Sequence, residues 1–173
     1  MGITKYFRIR EDRSIENRPQ ILGFKSAFTK AEYVTEDDNV MDVKSTGKYV
    51  EYTDYLDRTL LAVSSEFKEV AKMFNKDYTY KTVALQPEQE KSDQQIYWTI
   101  EMPSKNNYLH NSTTFNPDGT LNKIVVDDKK ACELPMFRLE SKLWNVYIIN
   151  LEMAESLLRR GLVGFELEEL DYI

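Results

Sequence analysis

One cysteine, one histidine and six glycines are all that the 173 residues hold of these types. Cys132 alone makes no internal disulfide, and no cysteine set or histidine pair exists to bind zinc. The glycines are scattered, so no phosphate-cradling loop is present. No serine sits in a nucleophile elbow. Long apolar runs are also missing, and none approaches the roughly 18 residues that span a bilayer. The opening stretch MGITKYFRIRED has basic residues but no apolar h-region, which argues against a signal peptide. Tyr6 stands where a myristoylation signal requires Ser or Thr. The expectation is a soluble cytoplasmic protein without cofactor or metal.

What the chain does have is charge and aromatic content: 30% charged, 42% hydrophobic and 12% aromatic residues. That is too apolar for disorder. A chain this long buries enough surface to hold a core without staples. The length predicts a single domain over 1–173, with a seam near 86–112 if two lobes form. Basic charge is in the minority, at 23 residues against 29 acids, for a net charge of −6. Residues 150–173 hold six acids and two bases (2 − 6 = −4), residues 36–57 hold seven acids and two bases (2 − 7 = −5), and residues 1–32 hold seven bases and four acids (7 − 4 = +3). Such a balance disfavours nucleic acid and suits a basic partner.

The pattern along the chain predicts an α+β fold of mostly antiparallel sheet with two principal amphipathic helices. KYFRIR (Lys5 to Arg10) reads as a first strand. Lys48 to Tyr52 is β-prone. Ser64 and Ser65 are cap residues for a helix on which Phe67, Val70, Ala71 and Phe74 share one face. Tyr78 to Leu85 and Ile96 to Met102 read as strands, separated by the polar loop 86–95. Asn116-Pro117-Asp118-Gly119 predicts a hairpin with a bulge. Asp127 to Lys130 closes a short strand at Ile124 to Val126. Asn145 to Ile149 is a strand, Asn150 an N-cap, and Leu151, Ala154, Leu157 and Leu158 an apolar helix face. Gly161 ends that helix. Val163, Phe165 and Leu167 alternate with polar residues in a last strand. Residues 59–85 and 145–170 thus share a strand-helix-strand plan, a possible pseudo-repeat.

Two residues invite a catalytic reading. His110 is a candidate lone base, but Asn106, Asn107 and Asn111 around it are turn residues and predict an exposed loop. Cys132 follows Lys129 and Lys130, which favour a thiolate, yet its apolar neighbours predict a small core residue. An enzyme built on the pair requires the two to meet in space. Glu166 and Glu168 lie about 7 Å apart on one strand face, a spacing shared by glycosidase pairs and by ordinary surface pairs. A solvated or docking face is the expectation, and no enzymatic activity is assigned.

Residues 54–85 (DYLDRTLLAVSSEFKEVAKMFNKDYTYKTVAL) and 134–170 (LPMFRLESKLWNVYIINLEMAESLLRRGLVGFELEEL) resemble a family of bacterial polymorphic-toxin immunity proteins, long catalogued only as a domain of unknown function. The shared order is an aspartate-tyrosine-aliphatic segment, a strand ending in serine, helix and strand, then a proline-apolar-phenylalanine-arginine segment, strand, helix, glycine and an acidic end. Gly161, Gly164, Phe165 and Glu166 carry that ending here. Asn150 stands where the family tends to have serine, and caps equally well. The resemblance implies a cytoplasmic protein that binds and occludes a co-encoded toxin domain. It supplies no binding residues. Charge and aromatic placement nominate Glu166, Glu168, Glu169 and Asp171, a second patch at Asp37 and Asp38, and Trp144 or Tyr172 as an anchor. The alternative is a small-molecule or peptide-binding α+β module of unknown ligand.

Overall fold

A computed structural model of the chain describes residues 4–22, 39–45, 47–90 and 93–173. The fold is mixed α+β and mostly antiparallel. Its centre is a four-stranded antiparallel sheet made from the two ends of the chain. Strand β1 (Tyr6–Glu11) lies between β12 (Asn145–Asn150) and β13 (Phe165–Glu169), and β11 (Met136–Glu140) flanks β12. A second sheet runs in the order β2 (Gln20–Ile21), β3 (Asn39–Lys44), β6 (Thr79–Pro87), β7 (Gln95–Glu101), β5 (Ala62–Val63) and β4 (Tyr55–Leu56). Within it only β3 and β6 pair in parallel. A hairpin of β8 (Thr114–Phe115) and β9 (Leu121–Lys123) and a parallel ladder of β10 (Val125–Val126) with β14 (Asp171–Tyr172) complete the strands among the described residues.

Three α-helices occur among the described residues: α1 (Ser65–Phe74), α2 (Asp128–Ala131) and α3 (Leu151–Arg159). The α1 N-terminus is capped by Ser64, whose Oγ accepts from Phe67 N at 3.2 Å. At α3, Asn150 Oδ1 accepts from Met153 N at 2.9 Å. Each side chain satisfies a backbone donor that the first turn leaves free. Gly161, at φ 71, turns the chain out of α3.

The two longer helices lie between the sheets. Phe67, Val70 and Ala71 of α1 and Met153, Ala154 and Leu157 of α3 share one core with Ile9, Met136, Tyr147 and Ile149 of the first sheet and Val63 and Ile100 of the second. The first sheet is buried on its other face too. There Tyr6, Phe137, Leu139, Val146 and Ile148 lie under Tyr108, Ile124, Val126 and Ala131. That explains why Val146 to Ile149 are all buried, an unbroken apolar run being the mark of a strand covered on both faces. The second sheet has its own outer core of Val43, Leu56, Ala62, Val83, Leu85 and Tyr97.

Several expectations change in detail. Leu158 is exposed rather than part of the apolar face, and Met153 takes its place. Helical spacing admits either, and the position of the core decides. Lys48 to Tyr52 forms no strand. Asp128 to Ala131 is a helical turn, begun where Asp127 leads the chain out of β10. Cys132 is exposed, not a core residue, because α2 turns Ala131 inward instead.

Candidate protein-docking surface

The first sheet divides its outer face. Over β11 and β12 it is apolar and covered. Over β1 and β13 it is charged and open, because Arg8 and Arg10 alternate with buried residues and meet Glu168 and Glu166 directly across the strands. Arg10 Nε donates to Glu166 Oε2 at 2.9 Å, and Glu168 lies 3.9 Å from both Arg8 and Arg10. On the helix-facing side of the same strand, opposite Phe7, Glu169 pairs with Lys5 at 2.8 Å, and past Leu170 Asp171 pairs with Lys123 at 2.8 Å. The Glu169 pair raises the Lys5 pKa, chiefly through their hydrogen bond and then through its charge.

The structure therefore brings Glu166, Glu168, Glu169 and Asp171 onto one strand and its continuation. It also gives each a cation. Four acids against Lys5, Arg8, Arg10 and Lys123 leave 4 − 4 = 0 along the strip. The excess of −4 counted along residues 150–173 is thus offset in space by bases from distant segments. Sequence distance hid that pairing, since Arg10 and Glu166 are 156 positions apart. Asp37 and Asp38 lie outside the described residues.

Trp144 stands in the turn between β11 and β12, 51% exposed, beside Leu143 at 61%. That turn opens β12 at the end of the sheet where β1 finishes with Arg10 and Glu11. The β8–β9 hairpin reaches the same place, for a Cβ on Gly119 would stand 3.2 Å from Lys142 Cδ. Phe115 in that hairpin is also exposed. Tyr172 is half-buried instead, its ring edge-on to Tyr6 at 6.5 Å between centroids.

The residues that carry the family resemblance gather elsewhere, at the joint between helices and sheets. Asp54 is the hub. Its Oδ1 accepts from Ser64 Oγ at 2.6 Å, its Oδ2 from Val163 N at 2.7 Å, and its own N–H donates to Val163 O at 2.9 Å. Tyr55 packs on Phe67 and Phe165, with ring centroids 5.6 and 6.3 Å away. Gly164 lies against Thr53. These residues hold α1 and the α3–β13 turn in register, which is structural work.

A buried charged group adjoins this joint. Arg18 Nε donates to Glu11 Oε1 at 2.7 Å, and Arg18 Nη1 ties down the carbonyls of Arg13 and Ile15. Asp57 accepts from Glu11 N and from Tyr55 Oη, both at 3.3 Å. Burial pushes the Asp57 carboxyl up to about 6, with the Glu11 charge adding to the rise. A cavity of about 250 Å³ opens beside Glu11, with Lys44 and Arg58 in its wall.

His110 and Cys132 share no partner. The His110 ring bonds Ser112 at 2.8 Å, and Cys132 Sγ lies 3.5 Å from Lys129 O. Among the described residues no group of three or more His, Cys, Asp or Glu is placed to hold a metal ion. No helix among them is long and apolar enough to cross a membrane. The chain matches no protein-family model and no curated protein.

Proposed function

We propose that this chain is an immunity-type protein, which neutralises a co-encoded bacterial toxin domain in the cytoplasm by binding over its active site. The observation that carries the reading is the exposure of Trp144, Leu143 and Phe115 at one end of an open charged sheet face. Exposed large aromatics beside well-ordered ion pairs are the usual anchors and rim of a protein interface. The ordered segments of the family resemblance support the same reading, because Asp54, Ser64, Phe165 and Gly164 meet in one joint.

The balanced ladder changes how such an interface works. A neutral strip of alternating charges gives little long-range steering, but it fixes register once partners touch. Affinity then rests on the apolar anchors. We also read the two strand-helix-strand units as one pseudo-repeated plan. In each, the strands flank an inserted antiparallel strand, β7 between β5 and β6 and β1 between β12 and β13.

A small-molecule module is the second reading; the cavity of about 460 Å³ lined by Lys123, Leu170 and Tyr172 is large enough for a ligand, but the one lined by the buried charges is not. The one beside Glu11, about 250 Å³, falls below the roughly 300–1,000 Å³ of most ligand sites. The test is co-expression with the C-terminal domain of a large secreted protein encoded immediately upstream. Growth rescue by this chain, lost with Trp144→Ala, is expected. Failure of the wild-type chain to bind that domain refutes the reading.

A further inference from the structure

Among the described residues strand β13 is the open edge of the first sheet, and two backbone hydrogen bonds set its free side. Leu170 N donates to Tyr6 O, and Asp12 N donates to Gly164 O, each at 2.9 Å. Backbone groups alternate sides along an antiparallel strand. Residues 164, 166, 168 and 170 therefore face β1, while the N–H and C=O of Phe165, Leu167 and Glu169 point away from it. Among the described residues no hydrogen bond reaches those outward groups.

The same column is filled further along. Past Leu170 the outward groups belong to Asp171 and Ile173, and β10 occupies them: Ile173 N donates to Val126 O, and Asp128 N to Ile173 O. Among the described residues the edge is thus open for the five residues of β13, about 17 Å at strand rise, with β10 stopping it at one end and Asp54 holding the Val163 backbone just before the other. A cavity of about 460 Å³ lies at the junction, with Lys123, Val125, Glu169 and Leu170 among its walls.

We infer that this slot takes an added strand from a partner protein, an extended segment in which basic side chains alternate with apolar ones. The inference rests on the protein-binding reading above and specifies its geometry. Glu166 and Glu168 project from one face of β13, with Arg8 and Arg10 behind them on β1. A new strand stands on the opposite side, so its residues on that face meet carboxylates first. Its residues on the other face meet Phe165 and Leu167, which are partly buried against the helix core, and at the far end Glu169, which Lys5 already pairs. Cross-strand opposite charges and apolar pairs both stabilise such an addition. A second copy of this chain is a poor occupant. Antiparallel pairing of two β13 strands about Leu167 sets Glu166 against Glu168, and like charges directly opposite repel.

The probe is a capped synthetic peptide of about seven residues alternating lysine and valine, enough to span the slot. Amide exchange is followed residue by residue in the whole protein. Expected is at least about tenfold slower exchange at Phe165, Leu167 and Glu169 with peptide present, and no change at Glu166 and Glu168, which already bond β1. Glu169→Pro removes one outward donor without touching the β1 ladder and is expected to weaken peptide binding about tenfold or more. Should that variant unfold, the same peptide N-methylated at alternate residues is the control on the wild-type protein, and it should not bind. Absence of peptide binding, equal binding of the N-methylated peptide, or concentration-dependent protection of the same amides without peptide overturns the inference. Full rescue from the upstream toxin domain by a folded Glu169→Pro also overturns it while leaving the immunity reading intact. Peptide binding with no toxin binding by the wild-type chain does the reverse.

Discussion

Replacing Gly164 by alanine tests whether the joint between α1 and β13 is as tight as the distances say. Gly164 has φ +95, outside the range that suits an L side chain, and an added Cβ would stand 2.3 Å from Thr53 Cβ and 2.8 Å from Thr53 Oγ1. The left-handed conformation costs about 1–2 kcal/mol, and forcing an extra carbon into a packed contact costs about 1–3 kcal/mol. Together they predict a loss of roughly 2–5 kcal/mol, or a Tm lower by roughly 4–20 °C for a protein of this size. Gly161→Ala is the matched control. It too has positive φ, at +71, but nothing lies within 4 Å of its added Cβ. It should lose only the conformational part, about 1–2 kcal/mol. Urea melts of both variants at unchanged slope measure the difference. Equal losses in the two variants would refute the steric argument, and with it the claim that Gly164 is there to let two segments touch.

Three further outcomes follow from the buried charges and the exposed anchor. Arg18→Met leaves Glu11 buried without its cation, so stability should fall by about 3–5 kcal/mol, and adding Glu11→Gln should restore part of it in the same urea melt. Asp57→Asn should stabilise the protein at pH 7. Burial raises the Asp57 pKa to about 6 from 3.8, so its ionisation weakens the fold. That cost is absent below about pH 4, enters as the pH rises toward 6 and is complete above it. The variant should therefore gain on the order of 1–3 kcal/mol above pH 6 and nothing at pH 3.5, read from melts across that range. Trp144→Ala should leave the Tm within about 1–2 °C, since the side chain is half in solvent, while lowering affinity for the toxin domain by about tenfold or more in calorimetry. A large Tm loss would show that Trp144 packs rather than docks.

Local pattern carried the legible part of the fold. Ser64 and Asn150 were readable as caps because each precedes an apolar helix face, and both make the expected bond. The Asn116 to Gly119 turn was readable from its residue types, and its hairpin and bulge are present. What pattern does not carry is pairing across the chain. Nothing in KYFRIR says that it lies between β12 and β13, because that position depends on partners some 140 to 160 residues away. The candidate surface suffered for the same reason. The acids of residues 166–171 were visible as a cluster, but the lysines and arginines that face them come from other segments. Asp54 looked like one acid among seven, although its four bonds join the start of α1 to the α3–β13 turn. Helix faces were blurred where two apolar residues adjoin, so Leu157 and Leu158 both fitted the pattern while one is buried and the other exposed.

Hydrogen exchange of the wild-type chain, alone and mixed with the toxin domain proposed as its partner, puts the central claim to its most direct trial. Slowed exchange is expected over 141–144 and 165–169, the exposed turn and the open strand edge, with α1 and the second sheet unchanged. Protection confined to the segments around Glu11, Lys44 and Arg58, or none anywhere, would contradict it.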